Sequence, residues 1–223
     1  NHQSLIATKA ARVCYAAKGD GIMEFGLRRA QGPDAGIYGA RAAVIAGCVG
    51  TSNVLTGQMF GVPVKGTHAH SWIMSFPDEY TAFKTYADLY PDACILLVDT
   101  YDTLRSGVPN AIRVFKEMRE KGIDLKGYGI RLDSGDIAYL SIEARKMLDA
   151  AGFEDMQIMA SNSLDEYLVR DLLVQGARVD SFGIGERLIT SKSEPVFGGV
   201  YKLAAVEDEN GEIIPKIKVS ENV

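Results

Sequence analysis

Ala93-Cys94-Ile95-Leu96-Leu97-Val98-Asp99-Thr100-Tyr101-Asp102-Thr103 is an unbroken apolar run of strand length that ends in a burst of polar residues. A run without polar alternation suits a parallel strand covered on both faces. The burst after it puts chemistry where the strand gives way to a loop. The pattern recurs downstream. Tyr128-Gly129-Ile130 leads into Arg131-Leu132-Asp133-Ser134-Gly135-Asp136, and Met156-Gln157-Ile158-Met159 into Ala160-Ser161-Asn162-Ser163. Val179-Asp180-Ser181-Phe182 leads into Gly183-Ile184-Gly185-Glu186-Arg187. Helical stretches separate these strands: Pro77 to about Leu89, Pro109 to Lys121, about 137–151 and Leu164 to Gln175, with Gly122, Gly152 and Gly176 as stops.

Upstream, residues 3–17 are Ala-rich and read as a helix with Lys9 and Arg12 on a polar side. Ile22 to Gly26 reads as a strand, and Gly36 to Gly50 as a tightly packed helix. Ser52 to Gly57 and Val62 to Lys65 read as two further strands. The second of these runs into Gly66-Thr67-His68-Ala69-His70-Ser71-Trp72, which holds two of the three histidines. On a strand, His68 and His70 share one face. Strand–helix alternation means βαβ units and a parallel sheet. Strands near 23, 54, 63, 96, 129, 158, 181 and 201 number about eight. That number predicts an irregular (β/α) barrel whose site lies at the strand C-termini. Gly198 to Val206 and Ile213 to Val219, joined through Asn210-Gly211, predict a C-terminal β-hairpin.

The chain has 223 residues, 47% hydrophobic and 24% charged, with net charge −5. That is an ordinary globular composition, and the acidic balance argues against general binding to nucleic acid. No apolar run approaches a membrane span. Cys14, Cys48 and Cys94 are widely spaced with no CxxC pair. They read as buried small hydrophobes in a reducing cytoplasm. The first residue is not Met and a helix is already under way. The expectation is therefore a fragment of a longer chain, with 1–223 as a single catalytic barrel and 198–223 packing outside it.

The bursts form one rim. Its cations are Arg28, Arg29 and Arg131, its carboxylates Asp99, Asp102, Asp133 and Asp136, and its imidazoles His68 and His70. Ser134, Ser161, Asn162, Gly183 and Gly185 add small donors. Arginine forks match carboxylates and phosphates. Carboxylates suit ribose hydroxyls or a magnesium-borne diphosphate. Gly183-x-Gly185, ending a late strand, suits a phosphate. Simpler readings stand beside these: Asp99 or Asp102 as helix caps, Arg131 and Asp133 as a surface ion pair, and Phe25 as core. Glu24 reads as a buried carboxylate paired with an arginine. A zinc site at His68 and His70 lacks further ligands at fitting spacing.

Five ordered motifs carry a resemblance: Glu24-Phe25-Gly26-Leu27-Arg28-Arg29-Ala30-Gln31-Gly32, Gly66-Thr67-His68-Ala69-His70-Ser71, Asp99-Thr100-Tyr101-Asp102-Thr103, Ile130-Arg131-Leu132-Asp133-Ser134-Gly135-Asp136 and Ser181-Phe182-Gly183-Ile184-Gly185. Together the chain resembles the nicotinate phosphoribosyltransferase family. The resemblance implies an irregular α/β barrel of the type II phosphoribosyltransferase kind, acting in NAD salvage. It implies transfer from 5-phosphoribosyl-1-diphosphate to nicotinate, coupled to ATP hydrolysis through a phosphohistidine at His70. Such an enzyme is classed as ligase or pentosyltransferase. The resemblance also implies that Phe25 stacks on the pyridine ring, and that Arg28 and Arg131 face the carboxylate or diphosphate. Asp133 and Asp99 would hold ribose and diphosphate, with magnesium near Asp99. Thr67 and Ser134 would contact substrate, while Ser161, Asn162, Gly183 and Gly185 would cradle the 5-phosphate. It further implies a homodimer with a shared active site. Nicotinamide- or quinolinate-specific relatives, or an inactive nucleotide-binding barrel, are the rivals. Glu186 departs from the expected phosphate turn, being an acid that would pair with Arg187 and point away.

Overall fold

The chain opens with α1 (His2–Ala16), which buries Ile6, Ala10 and Val13. α2 (Pro33–Ile45) follows β1 (Gly21–Glu24), its first proline pre-set for a helix start. Gly36, Gly39, Ala40 and Ala43 on α2 are buried small residues; α2 packs on α1, while Gly36 makes room for Leu27 and Gly39 for Ile189. In this computed structural model, residues 1–217 are described. Next come β2 (Gly50–Thr51), α3 (Val54–Phe60), α4 (His70–Met74) and α5 (Glu79–Leu89). β3 (Ile95–Leu97), α6 (Val108–Glu120), β4 (Gly129–Leu132), α7 (Ile137–Ala150), β5 (Gln157–Ser161), α8 (Glu166–Val174) and β6 (Ser181–Ile184) alternate, and α9 (Glu186–Ile189) closes the series.

β1 to β6 form one parallel sheet in the order β2-β1-β6-β5-β4-β3. Leu96, Ile130, Leu132, Ile158, Phe182 and Ile184 are fully buried, as strands covered on both faces require. Each such side chain contributes about 1.5–3 kcal/mol by leaving water. Register decides function here. Leu97 pairs with Arg131, Leu132 with Ala160, Ser161 with Gly183, and Glu24 with Ile184. Asp99, Asp133, Ser161, Gly185 and Phe25 therefore emerge at one end of the sheet.

β2 and β3 are the sheet edges, and the stretch between them touches both. Val64 forms a parallel bridge to Thr51, and the Leu97 N–H donates to His68 Nε2 at 3.3 Å. Among the described residues no helix is long and apolar enough to cross a membrane.

Several expectations change. The predicted strand Ser52–Gly57 is mostly α3, because the Asn53 side chain caps it by accepting from the Thr56 N–H at 3.2 Å. The predicted strand Val62–Lys65 reduces to the single bridge at Val64. His68 and His70 therefore do not share a strand face: His68 lies outside any strand or helix and His70 begins α4. The strand expected near 201 begins only at β7 (Ala205–Glu207), which pairs antiparallel with β8 (Ile213–Pro215). Asp208 braces that turn, accepting from Asn210 N and Glu212 N at 2.8 and 2.9 Å. Residues 218 and 219 of the expected second strand lie outside the described residues. Lys9 is not on a solvent face: it is buried, 2.7 Å from Glu166 of α8, with Arg12 on the same carboxylate at 2.9 Å.

Candidate active site

The site has an apolar floor and a charged rim. The floor comes from β1 and β6. The Phe25 N–H donates to Ile184 O at 2.8 Å, continuing the ladder past β1. Its ring lies against Gly183, where a Cβ would sit 2.6 Å from Phe25 Cε2 and 3.1 Å from Met159 Cε. Gly183 is thus a seat for the aromatic ring. Below it, the fully buried Glu24 accepts from the Gly26 N–H and from the Thr51 hydroxyl at 2.6 Å. Among the described residues no arginine joins it, contrary to the expected ion pair. Burial pushes the Glu24 carboxyl up, against the hydrogen bond from Thr51.

The rim comes from β3, β4, β5 and the loop before α4. His70 Nδ1 and the Thr100 hydroxyl are 3.0 Å apart, a hydrogen bond that fixes the ring. His70 Nε2 then faces Asp133 Oδ2 at 3.6 Å and Asp99 Oδ1 at 3.9 Å. Asp99 is almost wholly covered, and its Oδ2 accepts from Asp133 N at 2.9 Å and Ser134 Oγ at 2.5 Å. Its Oδ1 has no hydrogen-bond partner. Asp133 Oδ1 accepts from the Ser161 hydroxyl. Arg131 is half-buried and donates to His68 O at 3.0 Å rather than to Asp133, so it is no surface ion pair. Burial holds its guanidinium below the usual value, against the pull of Asp133 and Asp99.

His68 is 8% exposed and packs edge-on against Tyr86 at 4.6 Å. Nε2 accepts from Leu97, so the proton sits on Nδ1, toward Ala69 O at 3.5 Å. Burial, with Arg131 and His70 nearby, lowers its pKa from 6.5 to about 4. It is a neutral structural imidazole. Asp102 and Asp136 cap the segments after them, accepting from Arg105 N at 2.9 Å and Tyr139 N at 3.0 Å.

Phe25, Arg28, Thr67, His70, Arg131, Asp133, Ser161, Asn162, Gly183 and Gly185 line one cleft of about 350 Å³. Asp99 and Ser134 do not line it; Asp99 accepts from the Asp133 N–H and the Ser134 hydroxyl, and lies 3.9 Å from His70 Nε2. Ser52 and Ser163 line the cleft without having been expected there. Ser163 had a signal, since it belongs to the burst after β5. There Asn162 and Ser163 turn the chain with φ of 84° and 41°. Ser52 had none. Gly185 leads into α9, and Glu186 at its start pairs with Lys192 at 3.1 Å and Arg29 at 3.6 Å. Arg187 instead pairs with Asp165, correcting the expected Glu186–Arg187 pair.

Among the described residues no group of three or more His, Cys, Asp or Glu side chains could by itself hold a metal ion. The lone buried oxygen of Asp99 suits a hard cation brought by phosphate oxygens, which needs only one or two protein carboxylates.

The model of the Nicotinate phosphoribosyltransferase (NAPRTase) family matches residues 21–211. A protein of Bacillus subtilis (strain 168) named nicotinate phosphoribosyltransferase is 54% identical over 222 residues, covering 100% of this chain and 44% of that one. The crystal structure of human nicotinic acid phosphoribosyltransferase superposes with a TM-score of 0.75 at 33% identity, over 83% of this chain and 47% of that chain. A structure titled nicotinate-nucleotide pyrophosphorylase from Pyrococcus furiosus gives 0.72 at 28% identity, over 99% and 60%. The chain spans about half the length of the curated relatives it matches.

Proposed function

The chain belongs to the nicotinate phosphoribosyltransferase family, and from that premise we propose that it carries the catalytic barrel of an enzyme joining nicotinate to 5-phosphoribosyl-1-diphosphate. The products are nicotinate mononucleotide and diphosphate, and the step serves NAD biosynthesis. The observation that carries this reading is the one cleft that brings Phe25, Arg131, His70 and Asp133 together. Residues 1–223 act as one domain. The stretch 64–68 touches both edge strands, β2 through Val64 and β3 through His68, which supports the reading of an irregular barrel.

In this reading the pyridine ring lies on Phe25 and its carboxylate meets Arg28 and Arg131. Arg131 suits an anion well, since its Nε is buried with no hydrogen-bond partner. The ring nitrogen's lone pair attacks the anomeric carbon, and the bond from that carbon to the diphosphate oxygen breaks. Asp133, steadied by Ser161 and Asp99, holds ribose hydroxyls and supplies negative charge beside the oxocarbenium-like centre. Asn162, Ser161, Thr67 and the turn at Gly185 hold the 5-phosphate. Glu186 lines the cleft beside that turn, its charge offset by Lys192 and Arg29. Magnesium, borne by the diphosphate beside Asp99, would neutralise leaving-group charge. The free His70 Nε2 attacks the γ-phosphorus of ATP, the bond to the β,γ-bridging oxygen breaks and ADP leaves. Water later takes the phosphoryl from His70 as inorganic phosphate, and the two added charges beside the diphosphate position in between couple that hydrolysis to transfer. The enzyme acts in the cytoplasm as a homodimer whose partner completes the site.

The test is labelling with γ-labelled ATP. The expected result is acid-labile, base-stable phosphate on His70, lost in His70→Ala together with ATP stimulation while slow transfer persists. Absence of label both in this chain and in the longer protein overturns the phosphohistidine. Equal turnover of nicotinamide and nicotinate overturns the substrate assignment.

A further inference from the structure

Cys14 and Cys48 meet behind the sheet, away from the cleft. Cys14 lies in the last turn of α1, and Cys48 just beyond α2. The chain passes close by Cys14 just before Cys48: a Cβ built on Gly47 would lie 3.4 Å from Cys14 Sγ and 3.7 Å from its Cβ. The two thiols are near enough for each to shift the other's ionisation. Gly47 has φ of 118°, which brings the chain around Cys14 at this point. Cys48 is 4% exposed while Cys14 is only partly covered. The third thiol, Cys94, is fully buried at the entry to β3, and burial alone pushes it up to about 12.

We propose that Cys14 and Cys48 form a reversible disulfide when the protein meets a disulfide oxidant such as glutathione disulfide, a modification site that ties α1 to the segment entering β2. The two thiols are unequal in the way such a reaction needs. Cys14 is the reachable one, and the neighbouring Cys48 holds its thiol below the usual value. Cys48 is pushed up, first by Cys14 and then by burial, so it stays a thiol until Cys14 has reacted. The Cys14 thiolate attacks one sulfur of glutathione disulfide, forming a mixed disulfide and releasing one glutathione thiolate. Cys48 then loses its proton and attacks the Cys14 sulfur, and the second glutathione leaves as thiolate. Two protein thiols are oxidised to one disulfide while one glutathione disulfide is reduced to two glutathiones. Dithiothreitol reverses the sequence. The bond would join α1 to the segment that follows α2, and α1 and α2 are already packed together.

The experiment incubates the native protein with glutathione disulfide, quenches in acid, and counts thiols after denaturation, followed by peptide mapping. The reduced chain has three thiols. The expected result is a fall from three to one, a Cys14–Cys48 cross-linked peptide, and full recovery on reduction. In Cys48→Ser the reaction should stop with one glutathione on Cys14. Retention of all three thiols overturns the proposal. So does glutathione left on Cys14 of the unaltered protein with Cys48 free, or a cross-link to Cys94. The mapping of the unaltered protein decides the matter even if Cys48→Ser folds poorly. The outcome is independent of whether transferase activity is found.

Discussion

β3, β4 and β5 end in charged and hydroxylic side chains, whereas β1 and β6 end in a ring and glycines. The first group, Asp99, Asp133 and Ser161, is held by a chain of hydrogen bonds running strand to strand. In the second, the Phe25 ring meets Gly183 by contact alone, and Gly185 lies against the Phe25 backbone. One half of the cleft is built from charge and the other from shape. Damage to each half should therefore read out differently: in turnover for the first, in substrate fit and packing for the second.

The largest effect should come from the charged half. Asp133→Asn keeps the hydrogen bond from Ser161 but removes the negative charge, and should lower kcat roughly 10²–10³-fold with little change in Tm. A similar loss in kcat and Tm together would make Asp133 a structural group and blur the contrast.

His68, which supports this half, should affect stability instead. Its folded pKa of about 4 lies below the ordinary 6.5, so the unfolded chain binds the proton more readily. Stability is complete above about 6.5 and is lost as pH falls toward 4, by up to roughly 3 kcal/mol. In His68→Gln, whose amide oxygen can still accept from Leu97, denaturant titrations at both pH values should show that much less acid destabilisation. An identical pH profile would break the assignment of a neutral imidazole.

The shape half is probed by Gly183→Ala. The added Cβ drives into Phe25, costing about 1–3 kcal/mol in unfolding experiments. It should also raise the KM for nicotinate more than it lowers kcat. Combining it with Phe25→Ala should recover most of that cost as a coupling term. Simple additivity would mean that ring and glycine do not share a contact.

The smallest effect belongs to Glu186→Gln. Its partners are exposed lysine and arginine heads, so the KM for the phosphorylated substrate should change at most roughly threefold, and more weakly at high salt. A tenfold improvement would mean that the acid intrudes on the phosphate turn after all.

The charged half was legible in the sequence because each of its groups directly follows an apolar strand. The unbroken run at 93–98 and its downstream counterparts fixed both strand type and site position. The shape half was only partly legible. Gly183 looks like a phosphate glycine, but its seat under Phe25 depends on register between the first and last strands of the sheet. Glu24 suggested an ion pair, while its real partner, Thr51, came from a two-residue strand too short to show periodicity. Val54 and Thr56 made α3 resemble a strand, and only the Asn53 cap marks it as a helix. Asp102 and Asp136 stood among the rim carboxylates by spacing, and became caps because the following backbone N–H groups claimed them.

The turn at Asn162-Ser163 has a consequence for anyone building a library around the cleft. Two successive residues with left-handed φ tolerate very few side chains. Saturation at 162 should return chiefly asparagine, aspartate and glycine, and at 163 glycine should be enriched, with valine, isoleucine and threonine depleted at both. Diversity aimed at substrate choice is better invested at Thr67 and Ser52, where the backbone imposes no such filter and the side chains still line the cleft.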